Sequence, residues 1–235
     1  MIQRWRALST PALIAALIVG MGALLAAASV PAQDSGYSSR NPNRTSATVV
    51  LENEMSNIRS SNAQLGARIQ TAMEKLETVA RLTSEDEKEA EVDSLFFTLR
   101  DEVYSVLDQL DLNSDFADAL NRAKEGTIVL KSWYERQPPE YPNRDHSIAQ
   151  LERAIQEYDI VDEQLNQSRT LAQEKLSTIM RQHRVILQEM KIGKVLEAIE
   201  AARSVVSGLH DITSAMSVVE EKTSASLESS VPISN

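Results

Sequence analysis

The chain has 235 residues, a formal net charge of −10 and no cysteine. That acidity argues against a general nucleic-acid binder, which needs a cationic surface to displace counterions. Without cysteine, a domain outside the cytoplasm must hold itself together by packing or by oligomerisation.

Residues 1–32 read as a secretory signal peptide. Arg4 and Arg6 form a positive start, an apolar run follows from Ala12 to Ala28, and Val30-Pro31-Ala32 puts small residues at the −3 and −1 positions before Gln33. The run sits at the short limit for a membrane span, so the rival reading is an uncleaved N-terminal anchor. Either way the remainder is expected to be exported. A bacterial periplasm is the first expectation, and a membrane-anchored domain outside the cytoplasm is the alternative. The membrane is expected as a partner only through this N-terminal segment. Residues 33–46 are polar and read as a flexible linker.

From 47 to 225 the chain reads as all-α, an elongated helical bundle or set of long helical hairpins with coiled-coil heptads. No proline falls between Asn43 and Gln137, nor between Asn143 and Val231. Proline breaks helix interiors, so Pro138, Pro139 and Pro142 mark a bend at 137–145 between two helical arms. In the first arm Leu51, Met55, Ile58, Asn62, Leu65, Ile69, Ala72, Leu76 and Val79 alternate by four and three. This is a heptad seam with one polar member, Asn62. Such an asparagine fixes register or oligomeric state in a coiled coil, or is a tolerated defect inside a monomeric bundle. Residues 84–91 hold no large apolar side chain and read as a helix break or tight turn, with Ser84 and Glu87 fitting a capping box; the alternative is a continuous solvated helix. A second helix carries Val92, Leu95, Phe96, Leu99, Val103, Val106, Leu107 and Leu110. Asn113 or Ser114 caps a third, from about Asp115 to Glu135, holding Phe116, Leu120, Ala123, Val129, Leu130 and Trp133.

After the bend the spacing predicts one helix from about Ser147 to Ile192. Its seam runs Ile148, Leu151, Ile155, Tyr158, Asp162, Leu165, Arg169, Ala172, Leu176, Ile179, His183, Ile186 and Met190. Asp162 and Arg169 fall inside this seam, where an unpaired charge is costly; they either pair across an interface or mark a wet stretch. Lys191-Ile192-Gly193-Lys194 fits a helix C-cap with glycine at C′, or equally a kink in one very long helix; a turn is the first expectation. A new phase follows from Val195 through Ile199, Ala202, Val206, Leu209 and Thr213 to Met216. Residues 226–235 read as a disordered tail.

No constellation of catalytic, cofactor-binding or metal-ligating residues stands out, and the expectation is a non-enzymatic protein without cofactors. His146, His183 and His210 lack a second ligand at metal spacing. His183 reads as a tolerated core residue or a weak pH-sensitive element. The acidic 84–91 stretch and the basic 175–194 stretch are either ordinary surface variation or a docking pair. The bend Trp133-Tyr134-Glu135-Arg136-Gln137-Pro138-Pro139-Glu140-Tyr141-Pro142 is the most distinctive segment. Trp133, Tyr134, Arg136 and Tyr141 are interface-type residues and read as a recognition tip; alternatively the two helix-end rings seal the bundle. The functional expectation is a structural or interaction protein of the cell envelope, self-associating or binding a protein partner through its seams. The alternative is a periplasmic chaperone or sensor module that opens an apolar groove.

Overall fold

A computed structural model describes residues 46–231. The expected signal peptide or anchor, the linker up to 45 and residues 232–235 lie outside the described residues. Those described form six helices and no strand: α1 (Ser46–Val79), α2 (Glu85–Gln109), α3 (Asp115–Glu135), α4 (Arg144–Lys191), α5 (Val195–Ser207) and α6 (His210–Ser229). The all-helical expectation holds.

Side-chain pairs fix how the helices run. Glu102 of α2 accepts from Gln64 and Arg68 of α1, and Gln109 donates to Ser61, so α2 returns antiparallel to α1. Past the α2–α3 turn, α3 packs on α1 in turn. Lys124–Asp159 at 2.5 Å and Lys131–Glu152 at 3.0 Å set α4 antiparallel to α3, and Lys191–Glu89 at 3.1 Å carries that pairing on to α2. Lys175–Asp211 and Gln150–Val231 bring α6 back along α4. Asn62–Ser217 and Arg59–Glu220 lay α6 antiparallel to α1. The helices therefore form four antiparallel rows: α1, the broken row α2–α3, α4, and the broken row α5–α6. The 48 residues of α4 span about 70 Å at the usual helical rise.

Local chemistry explains the ends. The Ser84 hydroxyl accepts from the Glu87 amide and that of Ser114 from Ala117, each satisfying an otherwise orphan donor. The break before α2 is shorter than the sequence suggests, because the acidic stretch itself opens the helix. Glu85, Asp86 and Glu87 occupy its first turn, where the helix dipole favours negative charge. After α4, the Lys194 amide bonds Glu189 and the Gly193 amide bonds Met190, with Gly193 at φ 84°. This double closure is a Schellman motif that needs a left-handed residue. Gly193→Ala is expected to lower stability by about 1 kcal/mol, read as a small fall in thermal midpoint.

Burial follows the first seam closely. Leu51, Ile58, Leu65, Ile69, Ala72, Leu76 and Val79 are all in the core, with Met55 packed against it. In α4 the N-terminal half differs. The buried residues are Ser147, Leu151, Ala154, Tyr158, Val161, Leu165, Ser168 and Ala172, then Leu176, Ile179, Ile186 and Met190. Leu151, Tyr158, Leu165 and Ala172 are buried as predicted, but the alternate positions lie one residue earlier, at Ser147, Ala154, Val161 and Ser168, until a double four-residue step, 168–172–176, restores the predicted stripe. Asp162 and Arg169 flank the stripe, half-buried, instead of sitting in it.

Three further expectations are corrected. Val129 is 66% exposed and Thr127 takes the interior instead, its hydroxyl satisfied by the Ala123 carbonyl. The phase from Val195 to Met216 is interrupted at Gly208–Leu209, where Leu209 bonds Val206 and Ile212 bonds Leu209 in tight three-residue spacing. The expected tail from 226 is helical to Ser229, because Ser226, Leu227 and Ser230 are buried and the Gln150 amide donates to the Val231 carbonyl at 2.7 Å.

Candidate functional site

The α3–α4 bend is the most chemically distinctive surface, and its backbone explains why. The Gln137 amide bonds Tyr134, the Tyr141 amide bonds Pro138 and the Arg144 amide bonds Tyr141, giving successive tight turns. Asn143 stands at φ 58°, a left-handed conformation that asparagine tolerates better than most residues. Arg144 staples the bend. Its Nε donates to the Gln137 carbonyl at 3.0 Å and one terminal nitrogen to the Glu135 carbonyl at 3.1 Å, while the other meets Asp145 at 2.6 Å. The last carbonyls of α3 thereby gain a charged donor. Sequence reasoning missed Arg144, since nothing local separates it from Arg136.

On this staple three aromatic rings meet edge to face. Trp133 lies 4.9 Å from Tyr134 and 5.5 Å from Tyr141, and the two tyrosines are 6.2 Å apart. Trp133 remains 41% exposed and Tyr141 37%. The rings pack on one another, with Tyr134 half-buried and Trp133 and Tyr141 open to solvent. Arg136 does not join them. It is exposed and its Nε donates back to the Ser132 carbonyl. Nearby, Lys131 bonds both Glu152 and Glu135, which raises its ammonium pKa above the usual 10.5.

The remaining sequence-predicted positions are scattered. Asn62 donates to Ser217 Oγ at 3.0 Å and Glu220 Oε1 at 3.2 Å, so its amide ties α1 to α6 within one chain. Its Oδ1 is buried with no partner. Asp162 and Arg169 are two turns apart on α4 and form no pair; the Arg169 Nε is buried without a partner. His183 is half-buried, stacked on Phe96 at 5.0 Å and edge-on to Phe97 at 5.4 Å. Its Nε2 stands 2.9 Å from Asp93 Oδ1, yet the carboxylate is out of line for a hydrogen bond; it is an ion-pair contact only when the ring is protonated. The acidic opening of α2 does lie against the basic end of α4, through Lys191 and Glu89. A second exposed cluster went unseen in the sequence. Phe97 lies under the Arg100 guanidinium at 4.7 Å, and the Tyr104 hydroxyl is 3.9 Å from Met180 Sδ.

Among the described residues no group of three or more His, Cys, Asp or Glu side chains is placed to hold a metal ion. No described helix is long and apolar enough to cross a membrane. The chain matches no known family, no curated protein and no solved structure.

Proposed function

We propose that this protein is an exported, non-enzymatic scaffold or interaction module of the bacterial cell envelope, built as an elongated helical bundle whose heptad seams are covered by the broken rows α2–α3 and α5–α6 of the same chain. The observation that carries the reading is the contrast between its surfaces. The apolar stripes of α1 and α4 face the core, whereas Trp133 and Tyr141 are exposed and cluster with the half-buried Tyr134 on the stapled bend. Aromatic anchors held rigid lose little entropy on binding. The bend, rather than a seam, is then the surface that engages another envelope component.

Light scattering coupled to size exclusion on residues 33–235, across a concentration series, tests the first half. A monomer throughout supports closed seams, and a discrete dimer or trimer overturns them. Asn62→Leu is expected to leave the particle mass unchanged, because Asn62 bonds α6 of its own chain. It should shift stability by less than about 1 kcal/mol, since losing two hydrogen bonds is offset by losing one orphan acceptor.

A second reading, the module that opens a groove, is favoured by one feature. The buried polar side chains Thr48, Thr127, Ser147, Ser226 and Ser230 come from all four rows and soften the core around the end of α6. Segments held by fewer apolar contacts open first. Hydrogen exchange as fast in α4 as in residues 220–230 would sink it.

A further inference from the structure

The row α5–α6 changes character midway along α6. Leu209, Ile212, Met216 and Val219 are all buried. From there to Val231 the buried side chains are Thr223, Ser226, Leu227 and the C-cap Ser230, of which Leu227 alone is large and apolar. The hydroxyls add little grip across the rows. Thr223 donates to the Val219 carbonyl at 2.7 Å, Ser226 to that of Thr223 at 2.8 Å and Ser230 to that of Leu227 at 2.8 Å, each within its own row. Ser224 divides its hydroxyl between the Glu220 carbonyl at 3.0 Å and the Met55 sulfur at 3.4 Å, a weak acceptor. Stronger contacts to other rows stand at the two ends of the segment. Glu220 meets Asn62 and Arg59 of α1, and Gln150 of α4 donates to the Val231 carbonyl. We infer that residues 221–231 are a strap, which opens as one unit about the Glu220 contacts while the rest of the bundle stays folded. This rests on the second reading above, the module that opens a groove, and names the moving part and what it uncovers.

The atoms beneath the strap lower the cost of opening. Gln150 Oε1, Glu157 Oε2 and the Tyr158 phenol oxygen are buried without a hydrogen-bond partner. All three belong to the stretch of α4 that the strap follows. Gln150 touches Val231, Glu157 lies about two turns further along the same face, and Tyr158 has the Ser230 hydroxyl for a neighbour. Each is an acceptor that regains water when the strap lifts, and hydrating an unmet buried acceptor recovers its desolvation penalty. Little burial is lost in return, because the strap offers Leu227 and hydroxyls already bonded within their own helix. Segments with the fewest buried apolar contacts open first. Opening is cooperative because the segment is pinned at both ends. Once the Gln150–Val231 bond breaks, Leu227 is all the apolar bulk that holds the chain back to Glu220. The surface uncovered is the α4 stripe Ser147, Leu151, Ala154 and Tyr158, an apolar groove with acceptors along one edge.

Hydrogen exchange read by mass spectrometry on the full chain, with fragments short enough to divide α6 at Glu220, is the test. The amides of 221–231 are expected to exchange at one shared rate, about a hundredfold faster than those of 210–219 and of α4. A rate that climbs residue by residue toward Val231 is end fraying and overturns the strap. One rate from 210 to 231 that exceeds the rate in α4 also overturns it, while leaving a groove that opens at α6. Exchange as fast in α4 as in 221–231 removes both. Thiol labelling checks the unit independently, because the chain has no cysteine. The thiol introduced by Ser226→Cys should be alkylated about a hundredfold faster than that of Ala172→Cys, although both sites are fully buried. Its rate should barely change in low urea, since lifting the strap exposes little surface. Equal rates with equal urea dependence mean that the segment opens only with the whole bundle, and overturn the inference.

Discussion

Ser168→Asp is expected to cost about 3–5 kcal/mol, the range for stranding an unpaired charge in a core, while Asp162→Asn and Arg169→Gln should each stay within about 1 kcal/mol. Ser168 is 2% exposed on the interior face of α4, with Leu165 on one side and Ala172 on the other, both fully buried. A carboxylate there finds no partner and no water. Domains of this kind are stable by only about 5–15 kcal/mol, so the variant should be partly unfolded at ordinary temperature. Chemical denaturation followed by circular dichroism reads all three variants. In the register predicted from the sequence, Asp162 and Arg169 rather than Ser168 are seam positions, so a paired seam would make the changes at 162 and 169 the costly ones. Equal, small effects at all three positions would mean that neither stripe is the interior one.

The reason the register was misread is specific. Two stripes compete along the first half of α4. One is Ile148, Ile155, Asp162 and Arg169; the other is Ser147, Ala154, Val161 and Ser168. The isoleucines make the first look apolar, and the alternation through it is unbroken, so spacing alone prefers it. Only the two charges argue against it. In the folded chain the interior at these levels takes small residues, and the isoleucines lie half-buried at the flank. A helix drifts about 20° per heptad relative to a strict seven-residue repeat, and the extra four-residue step at 168–176 absorbs the drift. Sequence spacing carries no information about how much room the opposing helices leave. Where large residues fill both neighbouring rows, as in α1 from Leu51 to Val79, the same reasoning placed every buried position. The caps at Ser84, Ser114 and Gly193 were equally legible, because they act through their own local backbone, whereas the break at Gly208–Leu209 carries no such signal.

The candidate site was legible in composition but not in arrangement. Trp133, Tyr134 and Tyr141 were singled out by residue type beside prolines, and the turns do bring them together. Arg136 was grouped with them by proximity in sequence, yet a guanidinium at the end of a helix has carbonyls within reach, and it takes one. The role of Arg144 depends on the bend closing back on α3, which no local pattern encodes. The Phe97–Arg100–Tyr104 cluster with Met180 is similarly invisible, since Met180 comes from α4, which lies against α2 only in the fold.

Tyr158 gives the other large expected effect, and the sign depends on which atoms are removed. The ring is fully buried, so Tyr158→Ala should cost about 3–5 kcal/mol, the range for emptying an aromatic site in a packed core. Tyr158→Phe should cost nothing and is expected to gain about 1 kcal/mol. The phenol oxygen is buried with no hydrogen-bond partner, and an unmet buried hydroxyl is a liability that deletion relieves. The neighbouring Thr127 and Ser230 hydroxyls spend their protons on the Ala123 carbonyl at 2.9 Å and the Leu227 carbonyl at 2.8 Å, so neither donates to the phenol oxygen. Burial pushes the Tyr158 phenol above its ordinary pKa of 10, and the neighbouring Ser230 and Thr127 hydroxyls only partly offset that rise. The folded state therefore holds this proton more tightly than the unfolded one. Its contribution is intact below pH 10 and is lost as pH rises from there through the raised folded value. Alkaline unfolding measured on both proteins should show a shallower fall above pH 10 for Tyr158→Phe than for the parent, with parallel curves at lower pH. If Tyr158→Phe instead lowers stability by about 1 kcal/mol or more, the phenol has a hydrogen-bond partner in solution, and the end of α6 is gripped by a polar network instead of being softened by one.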